Sequence, residues 1–304
     1  MNSNFNIAVV GASGAVGEVM LSILEERGYP AENITALASE RSAGKEVDYG
    51  RNSLVVQDLA NFDFSNVKYG LFSAGGSVSE KYAPIAAEAG AIVIDNTSAF
   101  RNIDDIPLVV PEVNPHMLEN VEPGSIIANP NCSTIQMLVA LAPIQKAVGI
   151  DRINVATYQS VSGAGASALR ELAEQTVERL SFKEPTLNKF AQPIAFNVLP
   201  QIDSMQDNGY TREEMKMVWE TQKIFEDKDV RVNATAVRVP VFFGHSEAVH
   251  LETRGDISME QVRELLDDAE GVIVVDGDDM IHPTAVTHAA GEDPVYVGRL
   301  RRDI

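Results

Sequence analysis

The sequence predicts an α/β fold in which a doubly wound parallel sheet is followed by an α+β domain. Three observations predict it. Short apolar strands alternate with helical segments across the first 150 residues. A glycine-rich turn joins the first strand to the first helix. From about Ile153 the pattern changes to alternating strands, helices and a proline-punctuated connection.

The elements follow in order. "FNIAVV" (5–10) is a β-rich run that ends in glycines, and residues 15–27 read as a helix closed by Gly28. "ITALAS" (34–39) is a second strand and "YGLFSAGG" (69–76) another, with a helix around 80–89 and a further strand in "AIVIDNTS" (91–98). Strands that are apolar throughout and separated by helices belong to a parallel sheet covered on both faces. Ligands of such sheets bind beyond the C-terminal ends of the strands. "GASGAVG", "SERS", "SAGGS" and "DNTSAFR" all fall there.

Residues 133–147 read as a helix whose apolar face carries Ile135, Leu138, Val139, Leu141 and Ala142. "INVATYQSV" (153–161) is a strand, and a turn at Gly163–Gly165 leads into a long helix over 166–180. "FKEPTLNKFAQPIAFNVLP" reads as a surface connection. Residues 211–225 are helical, with Thr211 as N-cap. "VRVNATAVRVPVF" and "SEAVHLETRG" alternate like strands, "MEQVRELLDDA" is a helix and "GVIVVD" a strand, giving a mixed or antiparallel sheet. The domains are read as 1–130 and 131–304.

The chain has 304 residues, 45% of them hydrophobic, enough to bury a sizeable core. Its 24 Lys+Arg against 44 Asp+Glu leave a formal charge of −20, which argues against nucleic-acid binding through a basic surface. Anions must then be held by a few local cations, helix N-termini and glycine loops. One cysteine fits a reducing compartment and supplies no metal-ligand cluster. The N-terminus "MNSNFNIAVVGASG" lacks a basic region, and no run of about 18 apolar residues occurs, so a cytoplasmic protein without a membrane span is expected.

Gly11, Gly14 and Gly17 stand at G-x-x-G-x-x-G spacing between a strand and a helix. Glycine lets the backbone approach a pyrophosphate, and the helix N-terminus supplies N–H groups and partial positive charge. The strand–turn–helix context predicts a nucleotide-binding loop; the other reading is a tight structural turn. The end of the second strand, Ser39-Glu40-Arg41-Ser42, offers two hydroxyls and a guanidinium that suit a 2′-phosphate and hence NADP, although Glu40 could serve a 2′-hydroxyl instead.

Cys132, in "ANPNCSTIQM", precedes the predicted helix at once. A helix N-terminus lowers a thiol's pKa, and free N–H groups there could hold an oxyanion. The other reading is a buried, inert small residue. A nucleophilic thiol wants a proton-transfer partner, usually His. Spacing alone does not choose among His116, His245, His250, His282 and His288, although His250 lies on a strand and by parity faces away from His245.

Six ordered motifs, "VVGASGAVG", "SAGGS", "NPNCSTIQM", "YQSVSGAG", "REEMK" and "RVPVFFGHSE", resemble the bacterial aspartate-semialdehyde dehydrogenases, particularly the Gram-positive type, over nearly the whole chain. The resemblance implies a Rossmann domain plus a glyceraldehyde-phosphate-dehydrogenase-like catalytic domain that also dimerises. It implies NADPH-dependent reductive dephosphorylation of L-aspartyl 4-phosphate on the way to lysine, threonine and methionine. Cys132 would be the nucleophile and His245, with a near-neutral pKa, the general acid–base. Gln159 and Asn131 would orient substrate, Arg238 would clamp its carboxylate, Glu213 its ammonium, and Arg101 and Lys216 the phosphate. Ser13, Ala15, Val16, Arg41, Ser42, Ser73, Ser162 and Gly163 would contact NADP. Without the family, Glu213 and Lys216, three apart on a helix, read as an exposed salt bridge.

The chain stops at "VYVGRLRRDI", where the resemblance implies some tens of further residues returning to the first domain. The expectation is a shortened chain with weaker NADPH binding. Two other readings stay open: N-acetyl-γ-glutamyl-phosphate reductase, whose substrate has no ammonium for Glu213, and a non-catalytic NADP-binding protein.

Overall fold

The structure, a computed structural model, describes residues 5–276 and 281–304; the first four residues of the N-terminal stretch read above lie outside the described residues. The chain divides into two compact units, Met1–Val109 with Pro115–Pro130, and Val110–Asn114 with Asn131–Ile304.

The first unit carries β1 (Asn6–Val10), α1 (Ala15–Glu26), β2 (Ile34–Ala38), β3 (Glu46–Tyr49), β4 (Asn52–Val55), β5 (Gln57–Asp58), β6 (Val67–Phe72), α2 (Gly76–Glu88), β7 (Ile92–Asp95) and β8 (Ile126–Ala128). Six strands form one sheet in the order β5-β2-β1-β6-β7-β8, and every pairing in it is parallel. The order reverses about β1, so the crevice beyond β1 and β6 is the topological switch point. β1 is buried at Ile7, Ala8, Val9 and Val10, as a strand covered on both faces must be. Ile7, Val9, Leu21, Leu24 and Ile34 share one core cluster, which seats α1 against the sheet. The expected helix near 80–89 begins earlier, at Gly76. The β3–β4 hairpin, joined by Gly50-Arg51 with Gly50 at φ +57°, lies outside the expected pattern.

The glycine loop is sterically closed to side chains. Gly11 has φ +92°, and a Cβ there would lie 2.7 Å from the Ser73 carbonyl oxygen. A Cβ on Gly17 would fall well inside van der Waals contact with the Gly11 carbonyl oxygen, a backbone atom that cannot swing aside. Gly17→Ala is therefore expected to destabilise the protein by roughly 2 kcal/mol or more, the cost of overpacking a site that cannot relax. Urea unfolding checks it; an unchanged midpoint would mean that α1 shifts freely on β1.

The second unit carries α3 (Cys132–Val148), β9 (Ile150–Gln159), α4 (Ala166–Leu180), α5 (Arg212–Ile224), β10 (Arg231–Arg238), β11 (Ser246–Thr253), α6 (Met259–Asp267), β12 (Val272–Val274) and β13 (Val295–Val297). β9 is central in a mixed three-stranded sheet, parallel to β10 and antiparallel to β11. α5 starts with a full capping box: Thr211 Oγ1 accepts from the Glu214 N–H, and Glu214 Oε2 accepts from the Thr211 N–H. The proline-punctuated connection is not a loose surface loop throughout. Ile194 and Ala195 are buried against Leu172, and buried Glu171 and Gln175 accept from the N–H groups of Lys189, Phe190, Ile194 and Ala195. No described helix is long and apolar enough to cross a membrane.

Candidate active site

In the first unit, α1 begins without a side-chain cap, its N-cap being Gly14. An uncapped helix start behind three close-packed glycines is a cradle that a pyrophosphate fits and a side chain does not. Ser13, Gly14 and Val16 are exposed, Ala15 is half-buried and Gly17 buried. At the end of β2, residues 40–42 form one tight helical turn. Ser39 and Arg41 are exposed there, and Ser42 is half-buried. Ser73 directly follows β6; its N–H donates to the Val10 carbonyl and its Oγ accepts from Asn96 Nδ2 at 3.4 Å. Asn96 Oδ1 in turn accepts from Asn129 Nδ2 at 2.7 Å, so the C-terminal ends of β6, β7 and β8 are tied by amides. Arg101 is buried in this unit and donates to the Asn96 carbonyl at 2.9 Å.

In the second unit, Cys132 is the first residue of α3 and is exposed, which disposes of the buried, inert reading. Its Sγ lies 3.3 Å from His245 Nε2. Of the five histidines, His245 is the one placed at the thiol; His250, on β11, is exposed. Gly244, at φ +83° before His245, makes the sharp bend that a side chain would oppose.

The expected pool of free helix N–H groups is not there. Asn131 Oδ1 accepts from the Ser133 and Thr134 N–H groups at 3.0 and 3.4 Å, so the cap consumes donors that an oxyanion would need. Asn131 is thus first a helix cap. Its Nδ2 donates to Glu213 Oε1 at 2.8 Å and its N–H to Glu220 Oε2 at 2.6 Å. Gln159, at the end of β9 and 1% exposed, donates through Nε2 to the same Glu213 oxygen at 3.1 Å. Lys216 Nζ lies 2.9 Å from both Glu213 Oε2 and Asp203 Oδ2. The Glu213–Lys216 pair exists, but it is largely buried rather than an exposed helix bridge, and it joins α5 to the loop at Asp203.

Arg238, at the end of β10 and 7% exposed, donates through Nη1 to the Ser160 carbonyl at 2.8 Å. Gly163 packs where a Cβ would stand 3.2 Å from Arg238 Nη1 and 3.6 Å from His245 Cε1, so the missing side chain leaves room for both.

Charge within this cluster is uneven. Burial pushes the Glu213 carboxyl up, but Lys216 and the hydrogen bonds from Lys216, Asn131 and Gln159 outweigh it and hold the group below its ordinary value. Lys216, paired with Glu213 and Asp203, is held above its own despite burial. Burial lowers the Arg238 guanidinium. His245 is pushed down to about 4, first by burial and then by the Arg238 charge, with Glu213 opposing. The expected near-neutral imidazole is therefore overturned: at neutral pH the ring carries no charge.

Two residues escaped the sequence reading. Glu220 lies seven residues after Glu213 and shares its helix face, which is a visible signal for a second carboxylate aimed at the Asn131 turn. Ser160 opens the "SVS" that follows β9 and meets His245 Nδ1.

A glycine-cradle nucleotide unit followed by a unit with an exposed thiol against a neutral imidazole defines the semialdehyde dehydrogenase class. A family model described as semialdehyde dehydrogenase, NAD binding domain, matches residues 6–121, and one described as semialdehyde dehydrogenase, dimerisation domain, matches 141–304. Aspartate-semialdehyde dehydrogenase 2 of Vibrio cholerae is 58% identical over 304 residues, covering 100% of this chain and 90% of that one. A crystal structure of aspartate semialdehyde dehydrogenase II from Vibrio cholerae, complexed with ASA, superimposes with a TM-score of 0.94 at 58% identity, covering 99% of this chain and 89% of the other. The chain belongs to the aspartate-semialdehyde dehydrogenase family. The particular likeness to a Gram-positive type is not supported. The aspartate-semialdehyde dehydrogenase of Bacillus subtilis is 49% identical over 312 residues, covering 100% of this chain and 90% of its own, below the Vibrio relative.

Proposed function

We propose that the protein reduces L-aspartyl 4-phosphate with NADPH to L-aspartate 4-semialdehyde and phosphate, as a cytoplasmic homodimer. Residues 1–130 would form the NADP-binding domain and 131–304 the catalytic and dimerisation domain. The observation that carries this reading is the exposed Cys132 Sγ at 3.3 Å from His245 Nε2.

Cys132 Sγ attacks the acyl carbon; the carbon–oxygen bond to phosphate breaks and a thioester remains. Bound NADPH supplies a hydride to the thioester carbon. The carbon–sulfur bond then breaks, releasing the aldehyde and returning the thiolate. Arg238 holds the substrate's α-carboxylate, which its planar fork suits. Pairing that cation with a carboxylate also removes part of what depresses His245, so substrate binding raises the ring's affinity for a proton. Glu213, anionic and held by Lys216, Asn131 and Gln159, receives the substrate ammonium; a substrate acylated at that nitrogen brings no positive charge to the carboxylate and forgoes that pairing. Arg101 and Lys216 serve the phosphate. Ser39, Arg41 and Ser42 favour NADP over NAD through the 2′-phosphate. Gly11, Gly14, Gly17, Ser13, Ala15, Val16 and Ser73, with Ser162 and Gly163, complete the cofactor contacts.

The test runs the reaction in reverse, with L-aspartate semialdehyde, phosphate and NADP, following NADPH absorbance. Turnover with NADP at least about tenfold faster than with NAD is expected, the discrimination of roughly one good charged contact. Turnover only with N-acetyl-glutamate semialdehyde would overturn the substrate assignment. NADP binding without turnover of either would favour a binding protein.

A further inference from the structure

We propose that the Ser160 hydroxyl is the positioning partner that lets His245 exchange protons at Nε2, because among the described residues it is the one acceptor placed against Nδ1. The inference rests on the role assigned to His245 above and deepens it.

Among the described residues, both groups within hydrogen-bond reach of His245 Nδ1 belong to Ser160: the main-chain N–H, which donates at 3.0 Å, and Oγ, also at 3.0 Å. The N–H can only donate. It favours a bare Nδ1, which in a neutral ring puts the proton on Nε2, against the sulfur. A ring fixed in that tautomer can donate a hydrogen bond to a thiolate, but it can neither take the thiol proton nor give one away. Losing the Nε2 proton would leave an imidazolate, and accepting another at Nε2 has no vacant lone pair to use. Proton exchange at Nε2 alternates between the imidazolium and the neutral Nδ1–H form. Both carry a proton on Nδ1, and both need an acceptor there.

Ser160 Oγ meets that need. A hydroxyl donates or accepts by rotation, and Ser160 Oγ lies 2.9 Å from Ser162 Oγ, which can receive its proton when it turns its lone pair to Nδ1. The site is built to hold still. Ser160 is fully buried, its carbonyl accepts from Arg238, and the Val161 and Ser162 N–H groups donate to the Val241 and Phe242 carbonyls on the segment that leads to His245. Among the described residues, no carboxylate stands behind the imidazole in the manner of a serine-protease triad. The charged groups facing the ring, among the described residues, are the Arg238 cation, which opposes protonation, the Glu213 anion, which favours it, and the Cys132 sulfur. A neutral, switchable partner leaves the ring uncharged at rest and still permits the imidazolium transiently.

The experiment compares Ser160→Ala and Ser160→Thr with the wild-type chain in two readouts. In the reverse assay, Ser160→Ala should lose roughly a hundredfold in kcat, the scale of one acid–base function, with KM values for aldehyde and NADP moved less than about threefold. Ser160→Thr, which keeps the hydroxyl, should recover most of that loss. The second readout needs no turnover: the pH profile of Cys132 alkylation by iodoacetamide. Ser160→Ala leaves the ring with its proton on Nε2, donating to the thiolate and unable to accept from the thiol, so it should move the thiol's apparent pKa downward by about half a unit or more, and Ser160→Thr should leave it in place. A wild-type chain that fails the turnover assay refutes the aldehyde reading alone, since the alkylation profile still decides the role of Ser160. The proposal is overturned if Ser160→Ala keeps both kcat and the alkylation profile, or if Ser160→Thr restores neither despite an unchanged melting temperature.

Discussion

Replacing Cys132 with alanine is expected to lower aldehyde turnover by at least about 10⁴-fold, the loss seen when a covalent nucleophile is removed and the rest of a site remains. Stability should barely change. Cys132 is exposed at the first position of α3, and the helix cap is supplied by Asn131, so deleting one sulfur opens no core cavity and removes no cap. Nucleotide binding should also persist, because the glycine cradle belongs to the other unit. The three measurements separate the readings cleanly. Lost turnover with retained NADP affinity and an unchanged melting temperature fits a nucleophile. Turnover that survives the substitution would refute the thioester. Cys132→Ser should be almost as inactive as alanine. A hydroxyl is far less acidic than a thiol, and the neutral His245 beside it is too weak a base to ionise one.

The parallel sheet was legible because its strands are apolar on both faces and its ends are marked by glycines and hydroxyls; β1, β2, β6 and β7 all fall where the alternation places them. The β3–β4 hairpin was not legible, since four-residue strands with exposed alternate positions carry too little periodicity to stand out from a polar loop. The site divides the same way. A lone thiol ahead of an apolar helix can be found by eye, and the ordered motifs bring His245, Arg238, Gln159 and Glu213 to it. What the sequence withholds is coupling. That Asn131 spends its carbonyl on the helix cap and its amide on Glu213 depends on α3 meeting α5, 82 residues away. The depression of His245 depends on burial and on Arg238, properties of packing and not of spacing. Ser160 was overlooked for a related reason: its main-chain N–H matters as much as its side chain, and every residue but proline has one.

Glu247→Gln is expected to stabilise the protein by an amount that grows with pH. Glu247 follows His245 by two residues, at the start of β11. Gln136 Nε2, one helical turn beyond Cys132, donates to its Oε1 at 2.7 Å, while Oε2 has essentially no solvent contact and no hydrogen-bond partner among the described residues. Burial pushes this carboxyl from an ordinary 4.5 to about 8, with the Gln136 bond opposing only in part. The folded state therefore keeps a proton that the unfolded chain releases. A raised folded pKa means that this contribution is fully present below pH 4.5 and is lost as pH climbs through 8, with a ceiling of about 4–5 kcal/mol. A neutral amide of the same shape does not ionise in either state. Urea midpoints of wild type and variant should thus lie close together near pH 5 and diverge steadily to about pH 9. A difference that stays constant across that range would place an ionised carboxylate at Glu247 throughout. The outcome bears on catalysis as well. An uncharged Glu247 adds no negative field to the end of the sheet where a thiolate must form. Above pH 8, its ionisation should begin to oppose that thiolate while also loosening the fold.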